Sequence, residues 1–349
     1  MKLIYNNLKL IPYEGTGNIT PVLDVGSTID INKYEPARVR EFLEKNGDFR
    51  LWLKKESQKL NADSVMIYYR SKHIDYDFVT FVGEPNGSLN SSFSDMCGNG
   101  ICCLSLHIGL NQSAANGTSI YIWAGSVKKT IINQIDNKNN SGKIEVDMNK
   151  FQCRKSVLQK FVNLKLFPNI ETFSKISLPN LPDFLKEYKF GIGFNGVDIG
   201  EPQLVLLVNK NKYEKILNEV IPKKTENFMQ NIRMITSSMG PIMTFDKNLF
   251  PQGINFNFGV IADDMIYMST HERNILSSSD ICRGQQKNNY ICRCNTLSCG
   301  TGGAAAANIA FLQGLIERED IITVHPGGEI KYILNKNTTI MLGSAKKIN

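Results

Sequence analysis

The stretch Met96-Cys97-Gly98-Asn99-Gly100-Ile101-Cys102-Cys103-Leu104 decides how this chain folds, because it returns in altered form as Ser298-Cys299-Gly300-Thr301-Gly302-Gly303-Ala304. Each cysteine opens a Gly-(Asn or Thr)-Gly turn. Each turn runs into an apolar, helix-forming segment, 101–106 in the first copy and 304–310 in the second. The copies lie about 200 residues apart by the numbering. A motif repeated at such a distance reads as an internal duplication. It predicts two similar halves whose cysteine loops face each other across one site.

A glycine-rich turn that feeds a helix leaves several backbone N–H groups without partners. The helix dipole adds partial positive charge at the same place. Together they favour a bound carboxylate or phosphate, and they favour thiolate over thiol in a cysteine at that position. Two facing loops would put one thiol on each side of a bound carboxylate. If that carboxylate belongs to an amino acid, both thiols lie near its α-carbon on opposite faces. One thiolate can then remove the α-proton while the other thiol delivers a proton from behind. The donors around the carboxylate stabilise the enolate-like charge that develops. A single Cys-Gly-x-Gly could be a structural turn; two copies, each ahead of a helical run, point to catalysis.

The whole chain fits this reading. Its 349 residues suffice for two domains, and 42% hydrophobic with 21% charged residues is a globular composition. The net charge of +7 is spread along the chain without a dense Lys/Arg block, which argues against a nucleic-acid face. Residues 1–7 lack the apolar core of a signal peptide, and no run of about 18 apolar residues predicts a membrane span. The expectation is a cytoplasmic protein with free thiols. Its partner would be a small amino-acid substrate, not a nucleic acid or a membrane, with a homodimer left open.

Local patterns place the elements. Strands are predicted at 2–12, 20–25, 65–69, 78–82, 119–123, 128–134 and 144–148, with helices at 35–45 and 49–60. Further on, strands are predicted at 204–208, 253–260, 265–270, 321–324, 330–334 and 338–342, and helices at 211–219 and 225–232. Residues 150–190 give no clear pattern.

The two cysteine loops resemble the signature loops of the diaminopimelate epimerase family, the pyridoxal-phosphate-independent two-cysteine epimerases and racemases. Weaker pieces follow in family order: Gly17-Asn18, Asn61-Ala62-Asp63, Asn86-Gly87-Ser88, Ile254-Asn255-Phe256, Glu272-Arg273, Pro326-Gly327-Gly328 and Gly343-Ser344-Ala345. The resemblance implies an α+β fold of two pseudo-symmetric domains, each a curved sheet or barrel wrapped around a central helix. It places one half at 1–117 plus 338–349 and the other at 118–337, with an insertion near 274–294. It implies Cys97 and Cys299 as the catalytic pair, with Gly98, Asn99, Gly300 and Thr301 around the reacting carboxylate. Asn18, Asn255, Glu272 and Arg273 would hold the distal end of the substrate, and no cofactor or metal is expected. Arg273 suits a distal carboxylate because its planar fork binds carboxylate in bidentate fashion.

This sequence also departs from the family pattern. Ser64 stands where a substrate-side glutamine is expected, Glu84 and Glu201 where asparagines are expected, Gln203 in place of a histidine, and Asn295-Thr296 in place of Glu-Thr. Two added carboxylates favour a basic substrate group over an extra carboxylate. Diaminopimelate is therefore the first expectation for the substrate, and a racemase of histidine, lysine, arginine or ornithine the alternative. Glu84 and Glu201 could equally be solvated loop carboxylates, and Glu272-Arg273 a surface ion pair. Cys102 and Cys103 read as core thiols. Cys282, Cys292 and Cys294 suggest a cysteine-rich metal protein as a rival class, but their spacing to Cys299 matches no common zinc pattern; a non-catalytic binding relative is the other rival. Two thiols that share one α-carbon should form a disulfide in air. Oxidation should abolish activity and reductant restore it; two thiols still titratable after oxidation would contradict the facing geometry.

Overall fold

A computed structural model describes residues 8–26, 34–83, 93–94, 96–152, 162–163, 183–195, 201–273 and 295–348. Most of the expected strands form, but of the one expected at 2–12 the described part, 8–12, holds only an isolated bridge at Ile11, and the first paired strand is Tyr13–Gly15. Glu84, Asn86-Gly87-Ser88, Cys282, Cys292, Cys294 and the insertion at 274–294 lie outside the described residues. By contact the chain divides into two units, Met1–Asp147 with Leu342–Asn349, and Met148–Met341.

The first unit begins with a hairpin, β1 (Tyr13–Gly15) and β2 (Asn18–Ile19), followed by β3 (Val22–Asp24). Helices α1 (Pro36–Lys45) and α2 (Gly47–Lys59) come next, then β4 (Val65–Arg70), β5 (Phe78–Gly83) and α3 (Gly98–Gln112). A meander of β6 (Thr118–Trp123), β7 (Val127–Asp136) and β8 (Ser141–Asp147) follows. Pro36 opens α1, where a missing N–H costs nothing. The Asn46 side chain caps α2 by accepting from the Phe49 N–H at 3.0 Å. Val39, Leu43, Phe49 and Leu53 of these helices pack on Leu23, Val65, Ile67 and Phe81 of the strands.

The second unit contains β9 (Phe151–Gln152), β10 (Gly191–Asn195), β11 (Gln203–Asn209), α4 (Lys210–Val220), α5 (Phe228–Phe245), β12 (Asn255–Ala262) and β13 (Met265–His271). It continues through α6 (Gly300–Leu312), β14 (Asp320–His325), β15 (Gly328–Leu334) and β16 (Thr339–Lys347), whose end from Leu342 onward belongs to the first unit. There it pairs with β1, Tyr13 opposite Lys347 and Gly15 opposite Ala345. Helix α5 runs well beyond the expected 225–232. Ser237-Ser238-Met239-Gly240-Pro241 looks like a stop, yet Ile235, Met239 and Met243 keep an apolar face on the core and hold the helix.

The two units repeat one topology. In the first, β3 runs parallel to β4, β4 antiparallel to β5, β5 parallel to β6, and β6 antiparallel to β7. In the second, β11 runs parallel to β12, β12 antiparallel to β13, β13 parallel to β14, and β14 antiparallel to β15. A helix pair fills the first parallel connection in each case, and a cysteine loop with its helix fills the second. The duplication read from two short loops thus extends to whole-unit connectivity. The boundary falls at Asp147/Met148, not 117/118, because β6 pairs with β5 and β7 and β8 pack on α3. The returning segment likewise starts at Leu342 and not at 338.

Helices α3 and α6 are buried around their whole circumference over Gly98–Gly109 and Gly300–Ala307. A helix apolar on every side must sit inside its domain, and strands of its own unit surround each one. The fold is therefore α+β, with two similar units each built on a central helix. Among the described residues no helix is long and apolar enough to cross a membrane.

Three histidines are buried in these cores. Burial holds the pKa of His107 down at about 4, of His271 at about 4 and of His325 at about 3. His107 is bracketed by the Tyr13 and Tyr68 hydroxyls, each at 3.0 Å. Each ring stays neutral in the fold while the unfolded chain protonates near 6.5. The unfolded state therefore binds more protons below that pH, and stability should fall as pH drops from about 6.5 towards 4, by up to about 1.4 kcal/mol per pH unit for each histidine. Asp63, whose carboxyl burial pushes up, acts in the opposite sense. Urea unfolding between pH 7 and 5 measures the slope; an unfolding free energy flat over that range would refute it.

Candidate active site

Cys97 occupies the N-cap of α3 with extended backbone, φ −134° and ψ 111°. Its Sγ accepts a hydrogen bond from the Gly100 N–H at 3.3 Å, so sulfur takes the place that a serine or aspartate oxygen usually fills. The Cys97 carbonyl accepts from the Ile101 N–H at 2.9 Å, which closes the first helical turn. Gly100 has a steric reason: a Cβ there would collide with the Met66 side chain of β4. Ser64 Oγ lies 4.0 Å from the Cys97 sulfur and 3.4 Å from Thr20 Oγ1. Asp63 fixes this corner, because its Oδ2 accepts from the Ile19 N–H at 2.9 Å. Asn18, on the neighbouring β2, and Asn99 are both buried.

Cys299 repeats the arrangement at the N-cap of α6, with φ −133° and ψ 107°. Its Sγ accepts from the Gly302 N–H at 3.3 Å, and its carbonyl from the Gly303 N–H at 2.8 Å. A Cβ on Gly302 would collide with Asn257 Oδ1 of β12. The Tyr332 hydroxyl donates to the Gly300 carbonyl at 2.8 Å and pins the turn from β15.

A buried polar relay orients the second loop. Thr270 Oγ1 donates to Asn257 Oδ1 at 2.8 Å, and Asn257 Nδ2 donates to Gln203 Oε1 at 2.8 Å. Gln203 Nε2 then donates to Thr301 Oγ1 at 3.2 Å. With its oxygen accepting from Gln203, the Thr301 hydroxyl has its proton free for the Cys299 sulfur, 3.4 Å away. Sequence reasoning singled out Thr301 and noted Gln203, but missed Asn257 and Thr270. The signal was there: asparagine is disfavoured in strands, yet Asn255-Phe256-Asn257-Phe258 sets one at alternate positions of an otherwise apolar run.

The expected distal residues of the second unit form one cluster beside this loop. Asn255 pairs with Gln203 in the β11–β12 register, and its Oδ1 accepts from the Arg273 N–H at 2.9 Å. His271 bridges to Asn295, and Glu272 Oε1 accepts from Thr296 Oγ1 at 3.0 Å. The segment leading to Cys299 is thus fastened to the end of β13. Arg273 turns to Glu201: Nη2 and Nε donate to Glu201 Oε2 at 3.0 and 3.3 Å, with the side chains only 12% and 14% exposed. Glu201 is therefore part of an ion pair and not a solvated loop carboxylate. Glu84 lies outside the described residues.

Cys102 and Cys103 are fully buried, and burial pushes both thiols well above the ordinary range. They are core residues, in contrast with the half-buried Cys97. Among the described residues no three His, Cys, Asp or Glu side chains converge as a metal site.

No family model matches the chain. Its sequence is similar to the diaminopimelate epimerase of Clostridium perfringens, 23% identical over 347 residues that cover 98% of this chain and 97% of that one. It is also similar to the diaminopimelate epimerase of Archaeoglobus fulgidus, 34% identical over 103 residues, which cover 29% of this chain and 30% of that relative. Among solved structures, a hydroxyproline epimerase from Agrobacterium vitis with bound trans-4-hydroxy-L-proline shares the fold. The two align with a TM-score of 0.58 at 13% identity, over 98% of this chain and 89% of that one. The repeated cysteine-capped loop, the duplicated topology and the full-length sequence similarity converge: the chain is similar over nearly its whole length to a diaminopimelate epimerase and shares the fold of a solved hydroxyproline epimerase.

Proposed function

We propose that the protein inverts the α-carbon of a free amino acid without a cofactor, with Cys97 and Cys299 as the two acid–base groups. The observation that carries this reading is the same sulfur-capped helix N-terminus in both units, with an N–H at 3.3 Å from each sulfur. An N–H aimed at sulfur, at the positive end of a buried helix, lowers the energy of thiolate relative to thiol. One thiolate takes the α-proton and becomes a thiol. The electron pair left on carbon delocalises into the carboxylate, which the turn N–H groups of Gly98, Asn99, Gly300 and Thr301 would stabilise. The opposite thiol then gives its proton to the other face and becomes the thiolate. The protein ends with its two protonation states exchanged and the substrate with its configuration reversed.

The names of the curated relatives put diaminopimelate first as substrate. The Glu201–Arg273 pair favours a second reading, an amino acid with a basic side chain. Asn18, Ser64, Asn255, Glu272 and Arg273 would hold the rest of the substrate.

Two outcomes test the reaction. Incubation of LL-diaminopimelate, L-lysine, L-histidine, L-arginine and L-ornithine with reduced enzyme in D2O should replace the α-proton of one of them, read by NMR. Cys97→Ser and Cys299→Ser should each lower inversion by about 10³-fold or more, the scale of losing a required acid or base; full inversion by either variant would refute the two-thiol reading. Gln203→Leu should lower kcat about 5- to 30-fold, the scale of roughly 1–2 kcal/mol for releasing the Thr301 hydroxyl from its relay. An unchanged kcat would show that the relay only supports the fold.

A further inference from the structure

We propose that Glu201 determines which substrate the site accepts: its carboxylate fills the position beside Arg273 that a second substrate carboxylate would need. The site then takes an amino acid with a single carboxylate, whose side chain ends in a cation or another hydrogen-bond donor. This deepens the reading above and rests on it for the reaction, though not for the binding preference.

The argument starts with the geometry of Arg273. A guanidinium grips a carboxylate through two parallel N–H donors along one edge. The Nε/Nη2 edge already lies on Glu201 Oε2, at 3.3 and 3.0 Å. Nη1 points at the carbonyls of Gln252 and Gly253, both at 3.4 Å, and the backbone N–H is spent on Asn255. The fork is therefore occupied from within its own unit. Glu201 is placed by Pro202, which fixes the backbone between it and Gln203, the first residue of β11. Gln203 in turn holds Thr301 beside Cys299. The ion pair and the cysteine loop thus hang on one short strand start.

A second carboxylate entering here meets two obstacles. It must displace Glu201 from a pair that is 12% and 14% exposed, or it must sit beside Glu201 as a like charge in a poorly solvated place. A cationic or neutral donor meets neither. Arg273 uses only Oε2, and Oε1 of Glu201 accepts no hydrogen bond among the described residues. That oxygen is available to an ammonium, guanidinium or imidazole N–H.

L-Lysine and LL-diaminopimelate differ by one distal carboxylate, so they isolate the effect. Wild type and Glu201→Gln are compared by α-proton exchange in D2O and by calorimetric binding. Wild type should favour L-lysine in Kd by at least about tenfold, and Glu201→Gln should reverse the order by freeing Arg273 for the distal carboxylate. Glu201→Gln combined with Arg273→Gln should lose the gained affinity. Glu201→Asp, which keeps the charge and withdraws it by one methylene, should give an intermediate preference and covers the case in which Glu201→Gln folds poorly. Equal affinity of wild type for both compounds, or an unchanged order in the Glu201 variants, overturns the proposal. If neither compound loses its α-proton while the binding order reverses as stated, the thiol mechanism fails for these compounds and the role of Glu201 stands.

Discussion

A backbone N–H held at 3.3 Å from a cysteine sulfur, once in each unit, is the contact on which the rest of the molecule depends. A central helix buried on every side cannot send its first N–H groups to water. Something inside the loop must accept them, and here the acceptor is the sulfur of Cys97 in one unit and of Cys299 in the other. The atom proposed to carry the proton is thus also the one that closes the helix end. The glycines have a separate, steric reason. Side chains of β4 and β12 come so close to the loops that a Cβ at Gly100 would meet Met66 and one at Gly302 would meet Asn257 Oδ1.

The units solve the support of that loop differently. In the first, hydroxyls stand near the sulfur, Ser64 at 4.0 Å with Thr20 behind it. In the second, a relay of four side chains runs from Thr270 to Thr301 through the core of the sheet. A buried polar relay is stable only when every member is satisfied, and this one uses each amide in a single sense. Duplication has kept the backbone and the cap, while the surrounding side chains have diverged.

Much of this was legible in the sequence. The cysteine loops stood out because two Gly-x-Gly turns ahead of apolar helices are improbable by chance, and the strands because apolar runs and alternation mark them. Helix α5 was read too short because Gly240-Pro241 resembles a helix stop, whereas packing against the core overrides local preference. The halves were divided too early because the pairing of β6 with β5 is a long-range contact that no local pattern records. The place of Glu201 on the distal side was legible, but its pairing with Arg273 was not, because 72 residues separate the two.

The last residues of the chain carry a consequence for how the protein is made. Leu342–Asn349 belongs to the first unit, where β16 lies along β1. During synthesis the N-terminal part leaves the ribosome first and begins to fold first. Here it must wait, with Tyr13–Gly15 paired to β2 but not to β16, until the second unit has been translated. Until β16 arrives, β1 presents an unfilled strand edge, which other chains could occupy, and the pairing of Ala345–Lys347 with Tyr13–Gly15 closes it.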